Sequence, residues 1–492
     1  MKTNAEKLPS PWVSAIPLAV LTGLLYVVIR AFGGDAINGG SQIALLSATS
    51  VCVMLSIGIY RCRWAVLEEA IIDNIRASAS AIVILLLIGA IAGTWMVSGV
   101  VPTMIYYGLQ ILHPSFFLVA SCAICAVVSL MTGSSWTTIA TIGVALMGIG
   151  QAMGFPEGWV AGAIISGAYF GDKLSLLSDT TVLASSTVGV GVFTHIRYML
   201  YTTVPSMLVA LGVFTVAGLA LDHGASTHAE MYAAALAATF RITPWLLVVP
   251  LATGILIARK LPAIVTLFSA VVFACGAMLL AQPEMVARVA GVGGLDFISG
   301  FKGVLMTCFG PTAIPTGAPQ LDELVATRGM AGMLNTVWLI VTAMIFGGVM
   351  EAGHFLERLT SALIRRVHST GGLVTTTAAT CVLFNTTASD QYIAIVIPGK
   401  MFAKAYRRNG LAPEVLSRTL EDAGTATSVL IPWNTCGATQ SSVLGVATLT
   451  YLPYAFFCYL SPLMSILFAW CNIKIRRLVQ TDPGTEAENR NN

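Results

Sequence analysis

Two polar islands interrupt this largely apolar chain of 492 residues. The first, GAYFGDKLSLLSDTTVLAS (Gly167 to Ser185), holds Asp172, Lys173 and Asp179 with the hydroxyls of Ser175, Ser178, Thr180, Thr181 and Ser185. The second, LEDAGTATSVLIPWNTCGATQSS (Leu420 to Ser442), holds Glu421, Asp422, Asn434 and Thr435. Smaller polar groups lie outside them: Ser134 in SLMTGSSWTT, and Asn385, Thr386 and Asp390 before the second island. Carboxylates, amides and hydroxyls are the hard oxygen donors that suit a cation such as sodium. A proton and a sodium ion each neutralise a carboxylate, so one group can exchange one for the other. Gly133, Gly171, Gly424, Pro432 and Gly437 permit breaks in the helices, which would free backbone carbonyls as further ligands. The two islands are expected to face each other, with Asn434 and Thr435 opposite Asp179 and sodium held by Asp172, Asp179, Asn434 and Thr435.

The elements that position these residues belong in a bilayer. The chain is 56% hydrophobic and 10% charged, with a mean hydropathy of +0.82, whereas a soluble domain carries about 25% charge. Apolar runs of about 20 residues recur, each long enough to cross the hydrocarbon core as a helix. Unbroken runs also exclude a barrel, whose strands would alternate every other residue. Ionisable side chains in such surroundings are costly, and their default meaning is an ion or substrate site. The net charge of +3 shows no basic cluster suited to nucleic acid. The cysteines are scattered through apolar runs as small hydrophobes; Cys122 and Cys125 form a CxxC without histidine partners. The run from Val13 to Phe32 is too long for a signal peptide core and reads as a crossing helix.

Lysine and arginine set the orientation. Arg61 and Arg63, Arg259 and Lys260, Arg358, Arg365 and Arg366, and Lys474, Arg476 and Arg477 follow apolar spans, whereas the loops 33–41, 101–114 and 222–240 lack lysine and arginine. Both termini are therefore expected in the cytoplasm. Ala65 to Arg76 reads as an amphipathic stretch at the inner surface. The segment 116–150 fits either a re-entrant hairpin or two spans.

Self-similarity ties the islands together. Gly99 and Gly353 match at 353 − 99 = 254, Ser135 and Thr387 at 387 − 135 = 252, Gly171 and Gly424 at 424 − 171 = 253, and Pro205 and Pro462 at 462 − 205 = 257. The flanking basic residues have opposite sense in the two halves. Inverted repeats with broken helices are the mark of secondary transporters working by alternating access.

Other readings compete residue by residue. Asp172 and Lys173 could form a helix-end charge pair, with Lys173 reaching the interface. Asp179 among hydroxyls could be a cap. Arg418 precedes Glu421 and Asp422 by three and four positions, which suits a salt bridge on one helix face. Lys400, Lys404, Arg407 and Arg408 read as a cytoplasmic loop, and His195 as an interfacial residue. No nucleophile–base pair or metal-ligand constellation supports an enzyme, and no soluble segment supports a membrane sensor.

The stretches SGAYFGDKLSLLSDTT, FTHIRYMLYTT, DQYIAIVIPGKMF and SRTLEDAGTATSVLIPWNTCGA resemble the NhaC family of sodium–proton antiporters. The resemblance covers most of the chain. It implies an inner-membrane antiporter of sodium and protons, without cofactor, in a group where paired re-entrant hairpins and dimers are common. The chain departs from the family pattern at Leu176, Val182, Gly191, Tyr198, Thr439 and Gln440. Relatives also carry organic acids and amino acids, so the alternative is a sodium- or proton-coupled carrier of a small organic solute, with Val182, Thr439 and Gln440 as its contacts.

Taken together, these features predict an all-α polytopic membrane protein of about 10–12 transmembrane helices in two inverted repeats, with broken helices or re-entrant hairpins. The expected division is a cytoplasmic tail 1–12, a first repeat 13–225, an external connector 226–241, a second repeat 242–474 and a cytoplasmic tail 475–492. The candidate cation and proton ligands are Asp172, Asp179, Ser178, Thr181, Ser134, Asn385, Thr386, Asp390, Asp422, Asn434 and Thr435. The expected partners are the lipid bilayer, sodium, protons and a second copy of the chain, with no nucleic acid.

Overall fold

A computed structural model describes residues 9–32, 38–221, 226–259, 261–316, 322, 325–364 and 369–478. The expected tails lie largely outside these residues, as do Lys260, Arg365 and Arg366. Among the described residues every regular element is a helix, and the two β-bridges, Thr312–Thr327 and Leu411–Arg477, are isolated pairs.

The first half runs through α1 (Pro11–Phe32), α2 (Gly40–Gly58), α3 (Trp64–Ala77), α4 (Ala79–Val97), α5 (Val100–Ile111) and α6 (Pro114–Thr132). Gly133 turns the chain into α7 (135–152), which contains a π turn at Ile139–Gly143; α8 (Glu157–Leu174), α9 (Asp179–Thr187) and α10 (Val192–Ala220) follow. The second half begins with α11 (Ser226–Thr239), α12 (Val248–Ala258), α13 (Ala263–Ala281), α14 (Pro283–Ala290) and α15 (Phe297–Phe309). It continues with α16 (Leu334–Ala352), α17 (Phe355–Ile364), α18 (Thr370–Thr387) and α19 (Gln391–Arg408). Last come α20 (413–428, with a π turn at Glu421–Thr425), α21 (Thr435–Leu444), α22 (Thr448–Tyr451) and α23 (Phe456–Trp470).

Seven of the described helices are long and apolar enough to cross a membrane, or up to nine if each of two bent pairs counts as one span. The expectation of ten to twelve differs for a compositional reason. Three further helices, α8, α18 and α19, have 18 residues each, long enough to span, but α8 carries Asp172 and Lys173, α18 is rich in threonine, and α19 carries Lys400, Lys404, Arg407 and Arg408. The segment 116–150 is a crossing helix, α6, joined through a break to a second helix, α7. Lys400 to Arg408 form the last turns of α19 and not a loop. The amphipathic α3 exposes Glu68, Glu69 and Asp73, and buries Leu67 and Asn74. It packs on α16, where the Asn74 amide donates to the Met344 carbonyl at 3.5 Å.

Small residues let the polar helix α8 reach the centre. Gly167 and Gly171 sit one turn apart against the α6 backbone, where a Cβ would strike the carbonyls of Cys122 and Ala126. Without a hydrophobic drive between helices in lipid, such close backbone packing is a main source of association. Cys122 and Cys125 are buried free thiols on this contact. The apolar core forms three clusters, and the segment 420–438 contributes to all of them, through Val429 and Cys436, Ala438, and Leu420 and Ala423.

The order of elements recurs. In the first half the sequence is long helix α6, break, α7, α8, break, short α9, long α10. In the second half it is α18, break, α19, α20, break, short α21, and, after α22, long α23. The four helices that restart after a break are each capped by a polar side chain: Ser134, Ser178, Asp390 and Asn434. Their spacings agree, with 390 − 134 = 256 and 434 − 178 = 256.

Candidate functional site

The first break sits at Gly133 and Ser134. Gly133 has φ +68° and lies against Leu177, in the second break of the same half. A side chain there would be strained by conformation and by contact alike. The Ser134 hydroxyl accepts from the Thr137 N–H at 3.2 Å and from the Thr137 hydroxyl at 3.1 Å, which caps α7. The next residue, Ser135, turns both its N–H (3.0 Å) and its hydroxyl (2.7 Å) onto Oδ2 of Asp172. Asp172 is buried, and its Oδ1 has no partner. The Ser178 hydroxyl, which caps α9, is within interaction range of the same carboxylate. The Thr181 hydroxyl donates to the Lys173 carbonyl at 3.0 Å, satisfying the end of α8.

The equivalent breaks of the second half are also joined. The Asn434 amide donates to the Asn385 carbonyl (3.0 Å) and to its side-chain oxygen (3.2 Å). Its own oxygen accepts from the Cys436 N–H at 3.0 Å. The Asn385 amide donates to the Gly424 carbonyl (2.7 Å), inside the π turn, and to Thr427 (3.1 Å). Ser389 has φ 58°, strained for a residue with a side chain, and its carbonyl accepts from the Thr435 N–H at 2.9 Å. Asp390 caps α19 by accepting from the N–H groups of Tyr392 and Ile393. Trp433 closes the pair by donating to the Thr386 carbonyl at 2.7 Å.

Between the halves lies a buried polar seam. The Lys173 ammonium bonds Asp422 at 2.5 Å and the Ser461 hydroxyl at 2.7 Å, with both side chains of the ion pair fully buried. The other oxygen of Asp422 accepts from Thr202 at 2.8 Å. Lys173 stands in the last turn of α8, where the helix dipole favours a cation. One step along the seam, the Thr180 hydroxyl donates to Oε1 of Glu421 at 3.0 Å, and Oε2 of Glu421 has no partner. His195 is fully buried, and its Nδ1 bonds Ser417 at 2.8 Å.

The two islands thus face each other, but through Lys173–Asp422 and Thr180–Glu421. Asp179 is exposed and accepts from the Tyr392 hydroxyl at 2.7 Å; no hydrogen bond joins it to Asn434 or Thr435. Asp422 is occupied by the ammonium, which leaves it without a free oxygen for another cation. Lys173 does not pair with its neighbour Asp172, and Arg418 does not bridge to Glu421 or Asp422. The Arg418 guanidinium lies over the Tyr198 ring at 4.6 Å, and none of its nitrogens has a hydrogen-bond partner. The half-buried Thr386 turns its hydroxyl back onto its own helix, at the Val382 carbonyl. Val182 is exposed on α9, whereas Thr439 and Gln440 are fully buried with no partner for any side-chain polar atom. Glu421, Ser135, Thr180, Thr202 and Ser461 complete the seam and were not among the expected ligands.

Residues 167–473 match the model of the Na+/H+ antiporter family. The chain is 38% identical over 428 residues to the Na+/H+ antiporter NhaC of Alkalihalophilus pseudofirmus, covering 86% of this chain and 90% of that one. It is 35% identical to the malate-2H+/Na+-lactate antiporter of Bacillus subtilis, covering 87% and 89%. The arginine/ornithine antiporter ArcD of Halobacterium salinarum is 32% identical, with 96% and 94% covered. With the family model spanning both islands and this identity sustained along most of its length, the chain belongs to the Na+/H+ antiporter family.

Proposed function

We propose that the protein is a secondary active transporter that exchanges Na+ for H+ across the cell's inner membrane by alternating access. The observation that carries this is Asp172. In a chain of this family, a buried carboxylate stands at a double chain break with one oxygen saturated by Ser135 and the other open. A sodium ion at the open oxygen neutralises the carboxylate, and so does a proton. Loading one ion requires release of the other, which makes the exchange obligatory without a second mobile charge. The recurring element order and the opposite sense of the flanking basic residues support two inverted repeats that rock about this site. The distribution of lysine and arginine supports cytoplasmic termini.

The test is proton movement in proteoliposomes under an imposed sodium gradient. The wild type is expected to move protons against the sodium gradient without added solute, and Asp172→Asn to lose this activity by at least a hundredfold. Equal flux by wild type and Asp172→Asn would overturn the reading.

Gln440 favours a second reading. Both polar atoms of its amide, and the Thr439 hydroxyl beside it, are buried without partners, and buried amides are ordinarily satisfied. A bound organic solute would supply those partners, with sodium or protons driving its transport. Ion movement that requires an added carboxylate or amino acid, and that Gln440→Leu abolishes, would establish this second reading in place of the first.

A further inference from the structure

Resting on the antiport reading, we propose that Glu421 is a direct ligand of the transported cation, which sits between it and Asp172 and so is held by both halves of the chain. Glu421 is fully buried and accepts a hydrogen bond from Thr180; the Thr425 hydroxyl lies in range, and Oε2 makes no hydrogen bond. Asp172 is in the matching condition: Oδ2 takes both donors of Ser135 and Oδ1 has none. The two carboxylates are within electrostatic range of each other. The hydroxyls of Ser178 and Thr180 lie along the path, 3.0 Å apart, with Thr180 bonded to Glu421 and Ser178 in range of Asp172.

The basic groups nearby are accounted for. The Lys173 ammonium bonds Asp422 and Ser461, His195 bonds Ser417, and the Arg418 guanidinium lies on Tyr198. Two buried carboxylates are therefore left without a bonded cation, and each such unpaired charge costs several kcal/mol. One monovalent cation placed between the open oxygens would bind both carboxylates and offset one of the two charges. The donor set is all oxygen, and among the described residues no three side chains of histidine, cysteine, aspartate or glutamate gather as a metal-holding group. Two carboxylates and the hydroxyls of Ser178 and Thr180 make a donor set suited to a hard ion. Asp422, whose two oxygens are taken by Lys173, Ser461 and Thr202, is the counter-charge of the lysine and not a ligand.

The full-length protein tests this in two ways. Glu421→Gln in proteoliposomes is expected to raise the half-saturating sodium concentration at least tenfold, with Glu421→Asp intermediate. The second measurement needs no variant: the wild type in detergent is treated with dicyclohexylcarbodiimide, with either sodium chloride or choline chloride present, and modified carboxyls are located by mass spectrometry. Sodium is expected to protect Glu421 and Asp172 together. Protection of Asp172 with Glu421 unchanged, or a Glu421→Gln transporter with wild-type sodium affinity, would overturn the inference and leave the antiport reading intact. A wild type that moves no protons in response to sodium overturns both.

Discussion

Lys173 and Asp422 neutralise each other in the interior, 249 positions apart and with Ser461 and Thr202 filling the remaining bonds. Burying two charges is expensive even when they attract, so the pair contributes little net stability, but removing one partner strands the other. Lys173→Met is expected to destabilise the protein by about 3–5 kcal/mol, read as a fall in the thermal unfolding midpoint in detergent. The double variant Lys173→Met/Asp422→Leu is expected to recover most of that loss. A double variant no more stable than Lys173→Met would show that Asp422 is held by something other than the ammonium. Neighbours in sequence misled here. Asp172 is adjacent to Lys173, and Arg418 stands three positions before Glu421, the spacing of a helical ion pair, yet each of these side chains turns to a partner on another element or to an aromatic ring. Asp172 meets Ser135, Lys173 meets Asp422, Glu421 meets Thr180 and Arg418 meets Tyr198.

The helices around the site stop and restart, and at each restart a polar side chain takes up backbone N–H groups that a continuous helix would have bonded internally. Asn434→Ala is expected to lose about 1 kcal/mol for the cap and a further amount for the lost bonds to Asn385, while Asn434→Asp keeps the cap. A comparison of unfolding midpoints checks the order. Gly133→Ala meets both a left-handed backbone and Leu177, whereas Gly189, at φ +75°, has nothing within 4 Å. The alanine at Gly133 is therefore expected to cost clearly more than the roughly 1 kcal/mol that the backbone conformation alone implies, with transport falling alongside. Equal losses at the two glycines would show that the contact of the two breaks carries no strain. The breaks at Gly133 and Pro432 were legible in the sequence because glycine and proline are local signals, whereas Gly171 and Gly437 lie inside α8 and α21, and the breaks at 175–178 and 388–390 hold neither residue. The π turns at Ile139–Gly143 and Glu421–Thr425 were not, since one inserted residue in a helix leaves no compositional trace. Their effect is large: the second lies where Asp422 reaches Lys173, Glu421 reaches Thr180 and the Gly424 carbonyl reaches Asn385. The apolar runs revealed the crossing helices, but α8 falls outside that signal because Asp172 and Lys173 lower its hydropathy, α18 because of its threonines and Asn385, and α19 because of Lys400, Lys404, Arg407 and Arg408.

At the scale of the molecule, the seam joins two halves whose apolar clusters also meet along 420–438. A ligand that binds only the folded state stabilises it by mass action, by about 2.7 kcal/mol at a hundredfold excess over its dissociation constant. Sodium chloride is therefore expected to raise the unfolding midpoint in detergent where choline chloride of equal ionic strength does not, and Asp172→Asn is expected to remove the difference. An identical rise with choline would mark the effect as one of ionic strength alone.

The Lys173–Asp422 pair also has a consequence for how the chain is made. Residue 173 leaves the ribosome 249 residues before its counter-charge, about 10–50 s at usual rates of synthesis. During that interval a lysine destined for the interior enters the bilayer without its partner, at an insertion cost of about 2.5–3.5 kcal/mol. The first half expressed alone, 1–241, is then expected to be cleared quickly by membrane quality control and to accumulate when 242–492 is co-expressed. Lys173→Met is expected to lengthen the lifetime of the isolated half, while shortening that of the full chain. Pulse-chase measurement of both products would expose this reversal of sign, because during biogenesis the lysine is a liability until the second half arrives.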